Sequence, residues 1–279
     1  MQNTCIKSVG FAAAMTILGV AGAATGAIDI LSLDGSRSAR PFATSASYSV
    51  ARDFLTNPVN FGPGGVYNES VTIHPAVSAL SASALAAIDI VVICEQDNAF
   101  SADELNLLQN FVLGGGSVLV AVDTDTTLAH TNELLALLGG TSISPALAAG
   151  NGADVLSIIN TGSGARGVLG PFGVPGDLAA TLALTVVPGS GFVTTAVDDA
   201  LIAPPTPPTP VMGEMLTGAL GAGSGSVLIM SDPLFLNFST GIDQDNLTYL
   251  GNWVVPAPGS MGLLGLALAV ATRRRRRCM

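Results

Sequence analysis

From Asp89 to Asp125 the chain passes from an unbroken apolar run through a periodic mixed stretch and a glycine triplet to a second apolar run. Ile90 to Cys94 carries no polar interruption, the pattern of a strand buried on both faces, as in parallel sheets. Ser101 and Glu104 then stand at capping-box spacing, each able to satisfy a free N–H at the start of a helix. Leu105, Leu108 and Val112 form one apolar stripe with Phe111 beside it, and Gly114-Gly115-Gly116 ends the helix. Ser117 to Val122 predicts the next buried strand, so the stretch is one β-α-β unit, with parallel pairing across a right-handed crossover.

The flanking pattern extends this unit. Ile28 to Leu33 predicts a first strand, closed by Asp34-Gly35. Ser45 to Leu55 predicts a helix with Tyr48, Ala51, Phe54 and Leu55 on one face. Glu69 to His74 predicts a second strand, and Ser81 to Ala87 a short helix. After a helix over Asn132 to Leu138, the region 141–210 is rich in glycine, proline, serine and threonine. It predicts an irregular, mostly β insertion with strand pieces at Val155–Ile159, Leu182–Val187 and Gly191–Thr195. Ala203 to Val211, APPTPPTPV, predicts an extended polyproline-like loop. Val227 to Ser231 predicts a late strand, and Asp243 caps a last helix with Leu247, Leu250 and Val254 on one face and Trp253 adjoining.

Both ends read as targeting segments. Lys7, an apolar run from Val9 to Ala21 and the small residues Ala21 to Ala24 predict a secretory signal peptide, taken as residues 1–27. The body is then 28–254, and the tail 255–279. The tail runs Val255-Pro256-Ala257-Pro258-Gly259, the apolar SMGLLGLALAVAT, and then Arg273, Arg274, Arg275, Arg276 and Arg277. The apolar run is shorter than the roughly 20 residues that span a bilayer, so flanking residues must lend length and the arginines must snorkel. This order resembles the PEP-CTERM sorting signal of bacterial exosortase substrates, with Ala257 where that signal carries glutamate. The resemblance implies export, transient membrane anchoring through the tail, and processing near Val255–Gly259 by an exosortase-type enzyme. A cell-surface or extracellular-matrix protein remains.

Removing the two ends changes the charge. Four arginines, Arg37, Arg40, Arg52 and Arg166, remain in the body against all 20 acidic residues, a formal charge of −16, with no lysine. Such a field repels nucleic acid and favours solubility and cationic or basic partners; a matrix or polysaccharide partner also fits. Cys94 is the one body cysteine, so no internal disulfide forms.

The β-α-β unit together with SVLIMSDPLFLN resembles the class I glutamine amidotransferase-like superfamily over most of 28–254. The resemblance implies an α/β three-layer sandwich with a mostly parallel, flavodoxin-like sheet, carrying the irregular β-rich insertion. Catalytic members place a cysteine on a sharp elbow after the strand that follows the glycine turn, assisted by a late histidine. Here that strand runs into Val122-Asp123-Thr124-Asp125, and Asp232 to Trp253 holds no histidine. Nucleophile and base are both missing, so amidotransferase chemistry is not expected.

The remaining chemistry is carboxylate chemistry. Cys94 has Glu95 and Asp97 beside it, which oppose a thiolate, and reads as a packed structural cysteine. His74 and His130 show no zinc-ligand spacing and read as ordinary surface or loop histidines. Gly162 to Gly167 matches G-x-G-x-x-G in letters, but Gly170-Pro171 follows where a helix should begin. Asp34, Glu95, Asp123 and Asp232 each follow a strand, with Asp125 close by. They are the candidates to converge at the carboxyl edge of the sheet as a polar-ligand site or a calcium or magnesium site. No catalytic residue and no resident cofactor are assigned. The expectation is a non-catalytic, exported binding or matrix domain; a divergent hydrolase or carbohydrate-processing enzyme using those carboxylates is the alternative.

Overall fold

The computed structural model describes residues 26–122, 128–147, 154–158, 165–176, 178–180, 184–198, 209–236 and 244–256. Most of the signal segment and the tail beyond Pro256, with Ala257, Pro258, Gly259 and Arg273 to Arg277, lie outside the described residues. Among the described residues no helix is long and apolar enough to cross a membrane.

In chain order the first half holds β1 (Ile28–Ser32), α1 (Ser49–Thr56) after a 3-10 turn at Ala46–Tyr48, β2 (Val71–Ile73), α2 (Ala82–Leu85), β3 (Ile90–Cys94), α3 (Ala102–Leu113), β4 (Ser117–Ala121) and α4 (Leu128–Leu137). The second half holds β5 (Ser142–Leu147), β6 (Asp154–Ile158), β7 (Leu178–Ala180), β8 (Leu184–Val187), β9 (Phe192–Asp198), β10 (Thr209–Met215), β11 (Val227–Met230) and α5 (Gln244–Val254), with a 3-10 turn at Pro233–Leu236. One nine-stranded sheet runs β2-β1-β3-β4-β11-β10-β9-β6-β7, and β5 pairs with β8 apart from it. The first five strands of that order are parallel, and the pairings from β11 outward to β7 are antiparallel. The protein is therefore a mixed α/β fold built on a parallel core.

The period-2 alternation of the strands decides which helix covers which face. Val91, Ile93, Val118 and Val120 point into a cluster with Leu105, Leu108 and Val112 of α3 and with Leu134 and Leu135 of α4. Ile90, Val92, Cys94, Leu119 and Ala121 point the other way, onto Tyr48, Ala51 and Leu55 near α1 and Tyr249, Leu250 and Trp253 of α5. Helices thus cover both faces, which is why β3, and β4 after Ser117, are apolar.

Local signals held where the physics is local. The capping box forms as spaced, with Ser101 Oγ accepting the Glu104 N–H at 3.2 Å and Glu104 Oε2 accepting the Ser101 N–H at 2.9 Å. Beyond α3 the chain turns through Gly115 at φ 106°, which favours a residue without Cβ. Ser101→Ala is expected to cost about 1 kcal/mol in a thermal melt; no measurable change would mean that Glu104 alone caps the helix.

Two expectations are corrected. The helix expected from Asn132 is already present at Leu128, and Asn132 instead pins β5, bonding Ile143 N and O at 2.7 and 2.9 Å. The region 141–210 is mostly β as expected, with β6, β8 and β9 at the three strand pieces read from the sequence, and its β6, β7 and β9 extend the main sheet. The polyproline-like reading, which reached Val211, overlaps β10, which bridges β11 and β9. Pro210 and Gly213 disguised this strand. Pro210 sits at an irregularity in the β9 pairing, where a missing N–H is tolerated. At Gly213 a Cβ would collide with the Phe192 ring.

Candidate functional site

The carboxyl edge of the parallel strands is where open α/β sheets take ligands, and there Glu95 departs from ordinary geometry. It follows β3 directly and has φ 45°, the one positive φ of a non-glycine among the described residues. Its N–H still bonds the Ala121 carbonyl at 2.8 Å, and its own carbonyl accepts the Ala39 N–H at 3.0 Å. The backbone therefore turns sharply while staying tied on both sides. The side chain is buried, with Oε2 accepting from Arg40 Nε at 2.7 Å and Oε1 from the Tyr48 hydroxyl at 2.6 Å. Ser38 donates its hydroxyl to the Cys94 carbonyl and bridges to Gln96, clasping the loop after β1 over this corner.

The same corner answers the question about Cys94. It is fully buried, and burial pushes its thiol up, with the Glu95 charge adding to the effect. A thiolate is not available here, in keeping with a packed structural cysteine.

The other edge acids do different work. Asp34 turns back on its own loop, Oδ1 accepting the Ser36 N–H at 2.9 Å and hydroxyl at 2.6 Å, and these bonds hold its carboxyl below the usual range. Asp232 is buried behind β11, next to Ser231, whose hydroxyl donates to the Val211 carbonyl at 2.7 Å. Asp123 and Asp125 lie outside the described residues. Among the described residues no three His, Cys, Asp or Glu side chains are grouped to hold a metal, and the polar-ligand or cation site expected from the sequence also rests on Asp123 and Asp125.

The arginines are the residues that sequence reasoning passed over. Arg37 forks onto Glu104 at 3.0 and 3.3 Å and donates further to the Ser78 and Ala99 carbonyls. Burial by itself would raise the Glu104 carboxyl, but Arg37 and the N–H groups of Ser101 and Leu80 outweigh it and hold it at about 2. Arg166 lies half-buried at the opposite, amino edge. Its Nη1 donates to Ser117 Oγ at 3.0 Å and Ser226 Oγ at 2.7 Å, and its Nη2 to the Val255 carbonyl at 2.8 Å, while its plane stacks 5.2 Å over Trp253. Glu214 is fully buried beside it, Oε2 accepting the Arg166 backbone N–H at 2.8 Å and Oε1 having no partner in hydrogen-bonding geometry. Burial pushes the Glu214 carboxyl up to about 7, against the pull of the Arg166 charge.

His74 is a half-exposed loop histidine just past β2, as expected, and its Nε2 lies 2.6 Å from Asp29 Oδ1 across the β2–β1 pair. Scarcity was the available signal for all of these. A body with four arginines and two histidines against 20 acids has few cations to place, and each one that it keeps is suspect.

Neither a protein-family model nor a curated protein sequence matches the chain. Solved structures do. The mmIFT52 N-terminal domain superposes with a TM-score of 0.59 at 12% identity, over 83% of this chain and 99% of that one. A ThuA-like protein from Bacteroides uniformis gives 0.49 at 13%, over 83% and 91%. An exo-β-1,4-mannosidase from Opitutaceae bacterium strain TAV5 gives 0.45 at 13%, over 82% of this chain and 36% of that one. At such identities the first likeness shows the fold alone, and that fold is the mixed α/β architecture described above.

Proposed function

We propose that the chain is an exported, surface-displayed, non-catalytic α/β domain of the flavodoxin-like, class I glutamine amidotransferase-like type, acting as a binding or extracellular-matrix component. Its C-terminal segment acts as an exosortase-type sorting signal. The observation that carries the reading is the inward use of positive charge. Arg37 and Arg40 pair with the buried carboxylates of Glu104 and Glu95, and Arg166 donates inward to hydroxyls and carbonyls. The outer shell is thereby left strongly anionic, which suits a protein that must stay soluble outside the cell and meet cations or basic partners.

Fractionating cells that express the full chain and a chain ending at Pro256 tests this. The full chain is expected at the cell surface and the truncated one in the medium. Retention of both in the cytoplasm overturns the reading.

A second reading is favoured by one observation, the left-handed backbone of Glu95. Strained conformations of this kind cluster at functional sites, and a carboxylate held between Arg40 and Tyr48 is the group that a divergent carbohydrate-processing enzyme would use. Hydrolysis of a glycan panel by the wild type, abolished in Glu95→Gln, would replace the first reading with this one.

A further inference from the structure

A groove of about 410 Å³ opens beside the edge strand β2, lined by Thr44, Arg52, Asp53, Thr56, Ile73 and His74 together with Ala43 and Pro75. It is separate from the Glu95 corner and from the Arg166 network. Arg52 enters it already oriented, because its Nη1 is anchored to the Phe42 and Ser45 carbonyls at 2.6 and 2.7 Å. These partners are neutral. Among the described residues Arg52 has no carboxylate partner, whereas Arg37 and Arg40 pair with carboxylates and Arg166 lies beside Glu214.

Asp53 follows on α1, lines the same groove and forms no ion pair among the described residues. His74 is oriented by Asp29, which takes up Nε2 and leaves Nδ1 as the other polar edge of the ring. The groove therefore presents one fixed cation, one free carboxylate and the Thr44 hydroxyl.

From this arrangement we infer that the groove is a binding site for a small zwitterion with the α-amino acid pattern, its carboxylate on Arg52 and its ammonium on Asp53. Alternative small ligands fit less well. A carboxylate without a positive group would approach a body of formal charge −16 against its field and would leave Asp53 uncompensated. A neutral sugar would leave Arg52 uncompensated and would find no Phe, Tyr or Trp face among the lining residues to stack on. A net-neutral ligand with two opposite charges satisfies both groups. This site requires neither export nor a sorting signal, and it stands if the proposed function fails.

Titration of the full chain followed by amide NMR tests it, with L-alanine, propionate, ethylammonium and glucose as probes. L-alanine is expected to shift Thr44, Asp53, Thr56 and His74 signals saturably, and to bind at least roughly tenfold more tightly than propionate or ethylammonium. Arg52→Gln should abolish binding. Since Arg52 also ties down the Phe42–Ser45 turn, Asp53→Asn at an exposed position provides the second variant, and it should remove the preference for L-alanine over propionate. Equal response to propionate, a response to glucose alone, no saturable response, or L-alanine preference unchanged in Asp53→Asn would each overturn the assignment.

Discussion

Arg166→Met is expected to lower the stability of the domain by about 2–3 kcal/mol, the consequence of removing a cation that donates to several hydroxyls and carbonyls and lies beside the buried Glu214 carboxyl. The guanidinium holds several groups at once: the hydroxyls of Ser117 and Ser226 at the starts of β4 and β11, the Val254 and Val255 carbonyls at the end of α5, and the face of Trp253. Its loss leaves Glu214 buried without a neighbouring cation and frees the last turn of α5. Arg166→Lys should recover little, because one ammonium cannot reproduce a planar fork that reaches two hydroxyls and a carbonyl while stacking on a ring. Arg166→Met combined with Glu214→Gln should regain part of the loss, since the stranded charge is then absent. The midpoint of denaturant unfolding measures all three variants. A loss below about 1 kcal/mol in the single variant would show that water reaches Glu214 and satisfies the groups that Arg166 leaves.

The second large effect is on pH dependence. The folded state raises the Glu214 carboxyl to about 7, so between its ordinary value and about 7 the folded chain binds more protons than the unfolded one. Stability from this group is complete below about 4.5 and is lost as pH rises through about 7, a decline of up to about 3 kcal/mol. Glu104 has the opposite sign. Held at about 2 by Arg37 and backbone N–H groups, it adds stability that is present above its ordinary value and lost as pH falls toward 2. A mildly acidic stability maximum is the expected result. Glu214→Gln should remove the decline on the neutral side and leave the acid side unchanged. A stability profile flat between pH 5 and 8 in the wild type would refute the buried, raised carboxyl.

The legible and illegible parts of this protein divide by the range of the interactions. The Asp89–Val122 unit could be read because its signals are local: an apolar run for a doubly covered strand, a Ser-x-x-Glu cap, glycines at a helix end. β10 could not, because Pro210 and Gly213 are unfavourable in an isolated strand and become acceptable only where the β9 pairing is irregular and the Phe192 ring lies over the glycine. The same limit applies to the sites. That Glu95, Asp34 and Asp232 follow strands was visible in the sequence. What Glu95 faces was not, because Arg40 lies 55 positions away, whereas Asp34 turns onto Ser36 only two positions on.

The sequence by itself determined the parallel α/β core and a body with four cations against 20 acids. It also supplied the expectation of targeting segments at both ends, since each rests on composition or on periodicity within a short window. Tertiary structure decided where the scarce arginines point. A guanidinium is placed by partners from distant strands and helices, with Ser117, Ser226 and Val255 converging on Arg166 from three elements, and no periodicity along the chain encodes that meeting.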